Sequence, residues 1–201
     1  MIIYLNIKFK MKTVFVTGLK GSGKTTVSNL LKEILNEKYN RDCNLITLAK
    51  PLKEMVFKLC KLFDVEIDSI DDLENPLTKE KYRHYMQYIG TEICQDIFSK
   101  ECWCKLSKIN DKSINVVTDL RFEHEFKYFH NLSNKSIVIN VKRSVVKNNY
   151  SQQSQNHLSE MFNINCLTNY SNVYLINVAN DDSIDVLRDL IEDIVISIKD
   201  L

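Results

Sequence analysis

The chain has 201 residues, 44% hydrophobic and 26% charged, the balance of a soluble globular domain rather than a disordered or membrane-embedded chain. Lysine and arginine number 27 against 26 aspartates and glutamates, a net charge of +1. Nothing in that balance suggests a broad basic face for nucleic acid or an anionic membrane, so any cation that handles phosphate has to be placed individually.

The six cysteines include no C-x-x-C pair. They read as reduced thiols of a cytoplasmic protein rather than as a zinc knuckle or a disulfide frame.

Residues 1–10 (MIIYLNIKFK) are too short and too polar at alternate positions for a membrane span or a signal segment. They read as an N-terminal extension, with a single domain expected over 11–201. Residues 13–17 (TVFVT) form an apolar run suited to a strand buried on both faces. After it, Val27, Leu30, Leu31, Ile34 and Leu35 mark one face of a helix. Further strands are predicted at 44–48, 114–118, 136–142 and 173–178, with Pro51 opening the helix after the second. A last helix over 183–199 is expected to bury Ile184, Leu187, Ile191, Ile194 and Ile198, with Asp181 or Asp182 as its cap.

Five strands alternating with helices predict an α/β fold with a parallel sheet covered on both faces. Residues 52–109 contain no convincing strand and read as a helical insertion. The polar stretch 144–156 (SVVKNNYSQQSQN) reads as a loop.

Gly18-Leu-Lys-Gly-Ser-Gly23-Lys24-Thr25 fits the phosphate-loop pattern G-x-x-x-x-G-K-[ST], between a predicted strand and a predicted helix. Glycines let successive N–H groups curl around a phosphate, and the helix amino end adds positive charge. Gly18, Lys20, Gly21, Ser22, Gly23, Lys24, Thr25 and Thr26 are therefore expected to bind ATP. Lys24 would reach the β- and γ-phosphates, and the Thr25 hydroxyl would hold Mg²⁺.

Asp119 follows a predicted strand directly, which places its carboxylate at the sheet's carboxyl edge, where ligands of open α/β sheets bind. It is a second candidate for Mg²⁺, directly or through water; the bland alternative is a helix cap. Arg121, two residues on, suits a phosphate or a developing phosphoryl charge. Along the predicted helix 82–98, Tyr82, Met86, Ile89, Ile93 and Ile97 make a packing stripe. Arg83 and Gln87 share another face, where an arginine can clamp a phosphate and a glutamine can pair with a base edge, with Gly90 permitting close approach. A solvated polar face is the competing reading. Lys53 is a further candidate phosphate contact, and Trp103 reads as core or as a stacking surface.

Several segments in this order resemble the deoxynucleoside monophosphate kinases of large DNA phages and related viruses, themselves similar to animal phosphomevalonate kinase. They are GLKGSGKTT (18–26), KPLKE (50–54), YRHYMQYIGTE (82–92), TDLRFEHE (118–125), HLSE (157–160) and NVANDDSIDVL (177–187). The resemblance implies a P-loop kinase with the 52–109 insertion binding the acceptor and 144–156 acting as a short lid. It implies that Arg83 and Gln87 bind the monophosphate and its base, and that Arg121 meets an acceptor phosphate. Arg143 would meet the transferring phosphoryl group, and Asn180 would border the adenine of ATP. Gln95 stands where the family pattern has an arginine.

The expected catalytic set is Lys24, Asp119, Arg121 and Arg143, with Mg²⁺ as cofactor, and ATP and a deoxynucleoside monophosphate as partners. Host cytoplasm is the implied location for a viral protein, and a homodimer is compatible with the resemblance. His157 and Glu160, three residues apart, read as a structural pair. The alternatives are a phosphomevalonate kinase-like enzyme, a regulatory nucleotide-binding module that has lost transfer, and a 5′-kinase of polynucleotide ends, which the +1 charge disfavours.

Overall fold

The computed structural model describes residues 11–75, 77–144 and 162–198. The N-terminal extension, the expected lid after Ser144 and the HLSE segment fall outside these residues.

The first strand, β1 (Met11–Thr17), is central because Thr13 to Thr17 are apolar or small in both directions. Val14 and Val16 point to one face of the sheet and Phe15 to the other, all fully buried. Around it the sheet has β2 (Cys43–Ile46), β3 (Ile114–Val117), β4 (Ser133–Lys142) and β5 (Val173–Ala179). The order is β2-β3-β1-β4-β5, with every pairing parallel, as the strand–helix alternation predicts.

One face is covered by α1 (Lys24–Glu33), which widens into a π-type turn over Ile34–Lys38, and by the last helix. The other is covered by α5 (Glu123–Leu132), whose Phe126 and Phe129 rings lie 4.9 and 6.4 Å from Phe15. The sequence patterns above do not predict that helix.

Between β2 and β3 run α2 (Ala49–Leu62), a 3₁₀ turn (Ile70–Leu73), α3 (Lys79–Gln87) continuing as a π-type helix to Phe98, and α4 (Cys102–Lys105). This segment has a small core of its own: Val56, Cys60, Ile67, Leu73 and Tyr82. Leu52 of α2 packs on Gly90, where an added Cβ would come within 2.7 Å of Leu52 Cδ2. The glycine thus admits a neighbouring helix rather than a ligand. Trp103 is core, its indole N–H donating to the Gly90 carbonyl at 3.0 Å.

Three details differ from the sequence reading. Strand β2 ends at Ile46 and α2 begins at Ala49, so Pro51 sits in the first turn, where its missing N–H costs nothing. Ile97 is 70% exposed, because the π-type segment turns fewer degrees per residue and breaks the 3.6-residue phase of the packing stripe. The last helix, α6 (Ile184–Ile198), buries Leu187, Ile191, Ile194, Val195 and Ile198 but leaves Ile184 exposed, and Ser183 rather than an aspartate serves its first turn.

Candidate active site

The phosphate loop leaves β1 at Gly18 and enters α1 at Lys24. Gly18 has φ +143°, and a Cβ there would lie 2.3 Å from the Val141 carbonyl oxygen; Gly23 has φ +99°, and a Cβ would lie 2.1 Å from Asn180 Nδ2. Both positions need glycine for conformation and for space. No side chain caps α1 among the described residues, so its amino end faces the loop as an anion site. The Lys24 ammonium donates to the carbonyls of Gly18 and Leu19, at 2.8 Å each. Thr25 and Thr26 lie exposed in the first turn.

Neighbouring strand ends fasten the loop. Asn180 donates from Nδ2 to the Ser22 carbonyl at 2.8 Å, and its own N–H donates to the Lys142 carbonyl at 2.8 Å. Asp181, one of the two expected helix caps, instead accepts from the N–H and hydroxyl of Ser144, both at 2.7 Å. Those bonds and the nearby Arg143 hold its carboxyl below the usual range. The base of the expected lid is thereby pinned to the β5–α6 turn.

A cleft of about 540 Å³ opens beside the loop. Gly18, Leu19 and Ser22 line it from one side, Leu120 and Arg121 from the end of β3, Val141, Lys142 and Arg143 from the end of β4, and Phe162 to Ile164 from beyond. The structure therefore brings Arg121 and Arg143 to one cleft with the phosphate loop.

Asp119 does something the sequence offered only as its bland alternative, and for a different helix. Its two carboxylate oxygens accept the N–H groups of Leu48 and Ala49, at 2.8 and 2.9 Å, and so cap α2 across the sheet. Each oxygen accepts one N–H and keeps a second lone pair, so the cap leaves room for a metal-bound water to donate to it.

The donor set fits Mg²⁺ held mainly by phosphate and water. Thr25 offers a hydroxyl, and among the described residues no three His, Cys, Asp or Glu side chains converge to grip an ion by themselves.

On the acceptor side, Lys79, Arg83, Gln87, Thr91 and Gln95 follow one another at four-residue spacing along α3 and its continuation. The face is not solvated. Arg83, Thr91 and Gln95 are 6%, 7% and 3% exposed, and Lys79 and Gln87 are half-buried. Burial, and then the positive charges of Lys53, Arg83, Lys20 and Arg121, hold the Lys79 ammonium below the usual lysine range. Five cations thus share one region, with Arg121 common to it and to the cleft. Lys53 and Lys20 are steadied there by Glu74 at 2.8 Å and Glu80 at 2.7 Å.

Lys79 is the residue the sequence reading missed. Its only signal was its position four before Arg83, on the face that carries the expected acceptor contacts Arg83 and Gln87.

A phosphomevalonate kinase family model matches residues 16–136, more than half of the chain. The chain belongs to the phosphomevalonate kinase family. Kinase-type phosphoryl transfer from a nucleotide bound at the P-loop follows from that membership and the loop geometry.

No curated protein sequence matches the chain. Among solved structures, it is similar to Kti12 of Chaetomium thermophilum (16% identity, TM-score 0.48, covering 92% of this chain and 98% of that one). It is also similar to thymidylate kinase of Ehrlichia chaffeensis (18%, 0.42, 92% and 98%) and to APS kinase CysC of Mycobacterium tuberculosis (14%, 0.39, 92% and 97%). No helix among the described residues of this phosphomevalonate kinase family member is long and apolar enough to cross a membrane.

Proposed function

We propose that the chain transfers the γ-phosphoryl group of ATP to the phosphate of a deoxynucleoside monophosphate, giving the diphosphate and ADP. The observation that carries this reading is the polarity of the buried stripe on α3. Its amino end, Lys79 and Arg83, is cationic and lies with Lys53, Lys20 and Arg121; its far end, Gln87, Thr91 and Gln95, is neutral and hydrogen-bonding. A nucleoside monophosphate has that same asymmetry: a dianion at one end, an uncharged base with donors and acceptors at the other.

In this reading an oxygen of the acceptor phosphate attacks Pγ, the bond from Pγ to the β,γ-bridging oxygen breaks, and ADP leaves. A phosphate oxygen is nucleophilic at neutral pH, so no general base is required, and catalysis is positioning plus charge neutralisation. Lys24, Arg121 and Arg143 surround the transferring group; Lys53, Lys79 and Arg83 hold the acceptor phosphate; Gln87 meets the base. Asn180 borders the adenine while bracing the loop. Thr25, directly, and Asp119, through water, would hold Mg²⁺, which would supply neutralisation of the triphosphate charge.

A second reading, phosphomevalonate as acceptor, is supported by the family itself. That molecule ends in a carboxylate, which calls for a cation opposite the phosphate site, where this stripe carries Thr91 and Gln95. The deciding experiment measures ADP release with each deoxy- and ribonucleoside monophosphate and with mevalonate 5-phosphate. Turnover that depends on the base supports the first reading. Turnover with mevalonate 5-phosphate alone replaces it with the second, and no acceptor-stimulated release points to a module that binds without transferring.

A further inference from the structure

The turn from β3 to α5 carries Asp119 and Arg121, and it is held from both ends. At its start, Asp119 is tied to the amino end of α2, Leu120 donates to the Val16 carbonyl at 3.3 Å, and the Thr17 hydroxyl donates to the Leu120 carbonyl at 3.1 Å. At its end stands Glu125, 4% exposed, one turn into α5. One oxygen of its carboxylate, Oε2, accepts the N–H of Arg121 at 2.9 Å and that of Phe122 at 3.1 Å.

A carboxylate is costly to bury, and an ordinary amino-terminal capping glutamate sits at the surface. Here the cost is accepted for one result: the backbone of Arg121 is fixed from beneath while its side chain lines the cleft.

We propose that Glu125 is a positioning residue for Arg121, acting on phosphoryl transfer only through the orientation it gives that guanidinium. The proposal rests on the reading of Arg121 as a contact of the transferring phosphoryl group. Asp119 and Arg121 are the charged groups facing Glu125 from the turn, and the thiols of Cys102 and Cys104 face it from α4. The carboxyl is pushed up to about 8 by burial first, with the two N–H bonds opposing. Both bonds go to Oε2, so they are available whether or not Oε1 carries a proton.

The test compares E125M, of similar volume but without an acceptor, with E125Q, which keeps an oxygen for both amides, each with and without R121A. Two readouts are taken on the full chain. One is ADP release with ATP and an equimolar mixture of the four deoxynucleoside monophosphates. The other needs no acceptor: the ratio of ATP to ADP affinity measured by titration, which reports a group meeting the γ-phosphate. Thermal melts confirm that every variant is folded at the assay temperature.

The expected result is a loss of at least tenfold in turnover for E125M, with the ATP preference falling alongside. E125Q should recover most of it, and E125M should change R121A less than twofold further. Multiplying losses in the double variant, or equal losses in E125M and E125Q, overturn the positioning role while leaving the site reading intact. An unaltered ATP preference in R121A overturns the proposal together with the reading of Arg121 on which it stands.

Discussion

The ammonium of Lys20, in the phosphate loop, lies 2.7 Å from Glu80 Oε2, in the first turn of α3. This pair joins the ATP side of the site to the acceptor side, and both partners are largely shielded from water. On the proposed reading of Lys20 as an ATP contact, Glu80 competes with the triphosphate for its ammonium. Glu80→Gln should lower the KM for ATP by two- to fivefold, the range of about 0.5–1 kcal/mol typical of such pairs. An ATP titration at constant ionic strength checks it; a higher KM would mean that the pair holds the loop rather than competes with the nucleotide.

Lys24→Ala should cost about 10²–10³-fold in turnover, the loss seen when one preorganised donor to a developing charge is removed. The ammonium is held over the loop by two carbonyls, so its removal should leave the fold in place. Single-turnover kinetics with saturating ATP measure the loss; a rate within tenfold of the parent would remove Lys24 from the chemistry.

Lys79→Ala and Arg83→Ala should each raise the acceptor's KM by about tenfold or more, the scale of a charge-assisted hydrogen bond of roughly 1.5–3 kcal/mol, with little change in the KM for ATP. The two residues differ in pH response. The folded-state pKa of Lys79 lies below the ordinary lysine value, so its charge is lost earlier as pH rises. Acceptor KM should climb on the alkaline side in the parent and stay flatter in Lys79→Arg, whose charge persists. KM profiles from pH 7 to 10 make the comparison.

Glu125 gives a stability prediction of unusual sign. Its carboxyl is raised to about 8 by burial, against 4.5 for the free group, so between those values the folded chain binds more protons than the unfolded one. Its contribution to stability is full below the unfolded value, falls as pH rises through the window, and levels off above about 8. Most paired carboxylates behave the opposite way. Urea midpoints measured from pH 5 to 9 should decline, and Glu125→Gln should flatten the decline; an unchanged slope would assign it to other groups.

Much of this architecture can be read from residues alone. The phosphate loop is legible because glycine, lysine and threonine stand at fixed spacing between a strand pattern and a helix pattern. The central strand is legible because Val14, Phe15 and Val16 are apolar in succession. What escapes the sequence needs tertiary partners. That Asp119 caps α2 at Ala49, 70 residues before it, depends on β2 and β3 being neighbours. That Asp181 holds Ser144 depends on β4 lying beside β5. Whether the stripe on α3 was solvated or covered stayed open, because a helical repeat says which residues share a side and nothing about what covers it. Lys79 resembled any other lysine until Lys53, Lys20 and Arg121 were folded against it.

The phosphate loop is written early in the chain and finished late. The carbonyl of Ser22 receives its brace from Asn180, 158 positions downstream, and the same side chain occupies the space that makes Gly23 obligatory. A nascent polypeptide emerging from the ribosome holds the whole G-x-x-x-x-G-K-T signature long before it holds a secured nucleotide cradle. The brace is therefore acquired only when β5 has been made and has docked, and a product cut short before Asn180 would carry the signature without it.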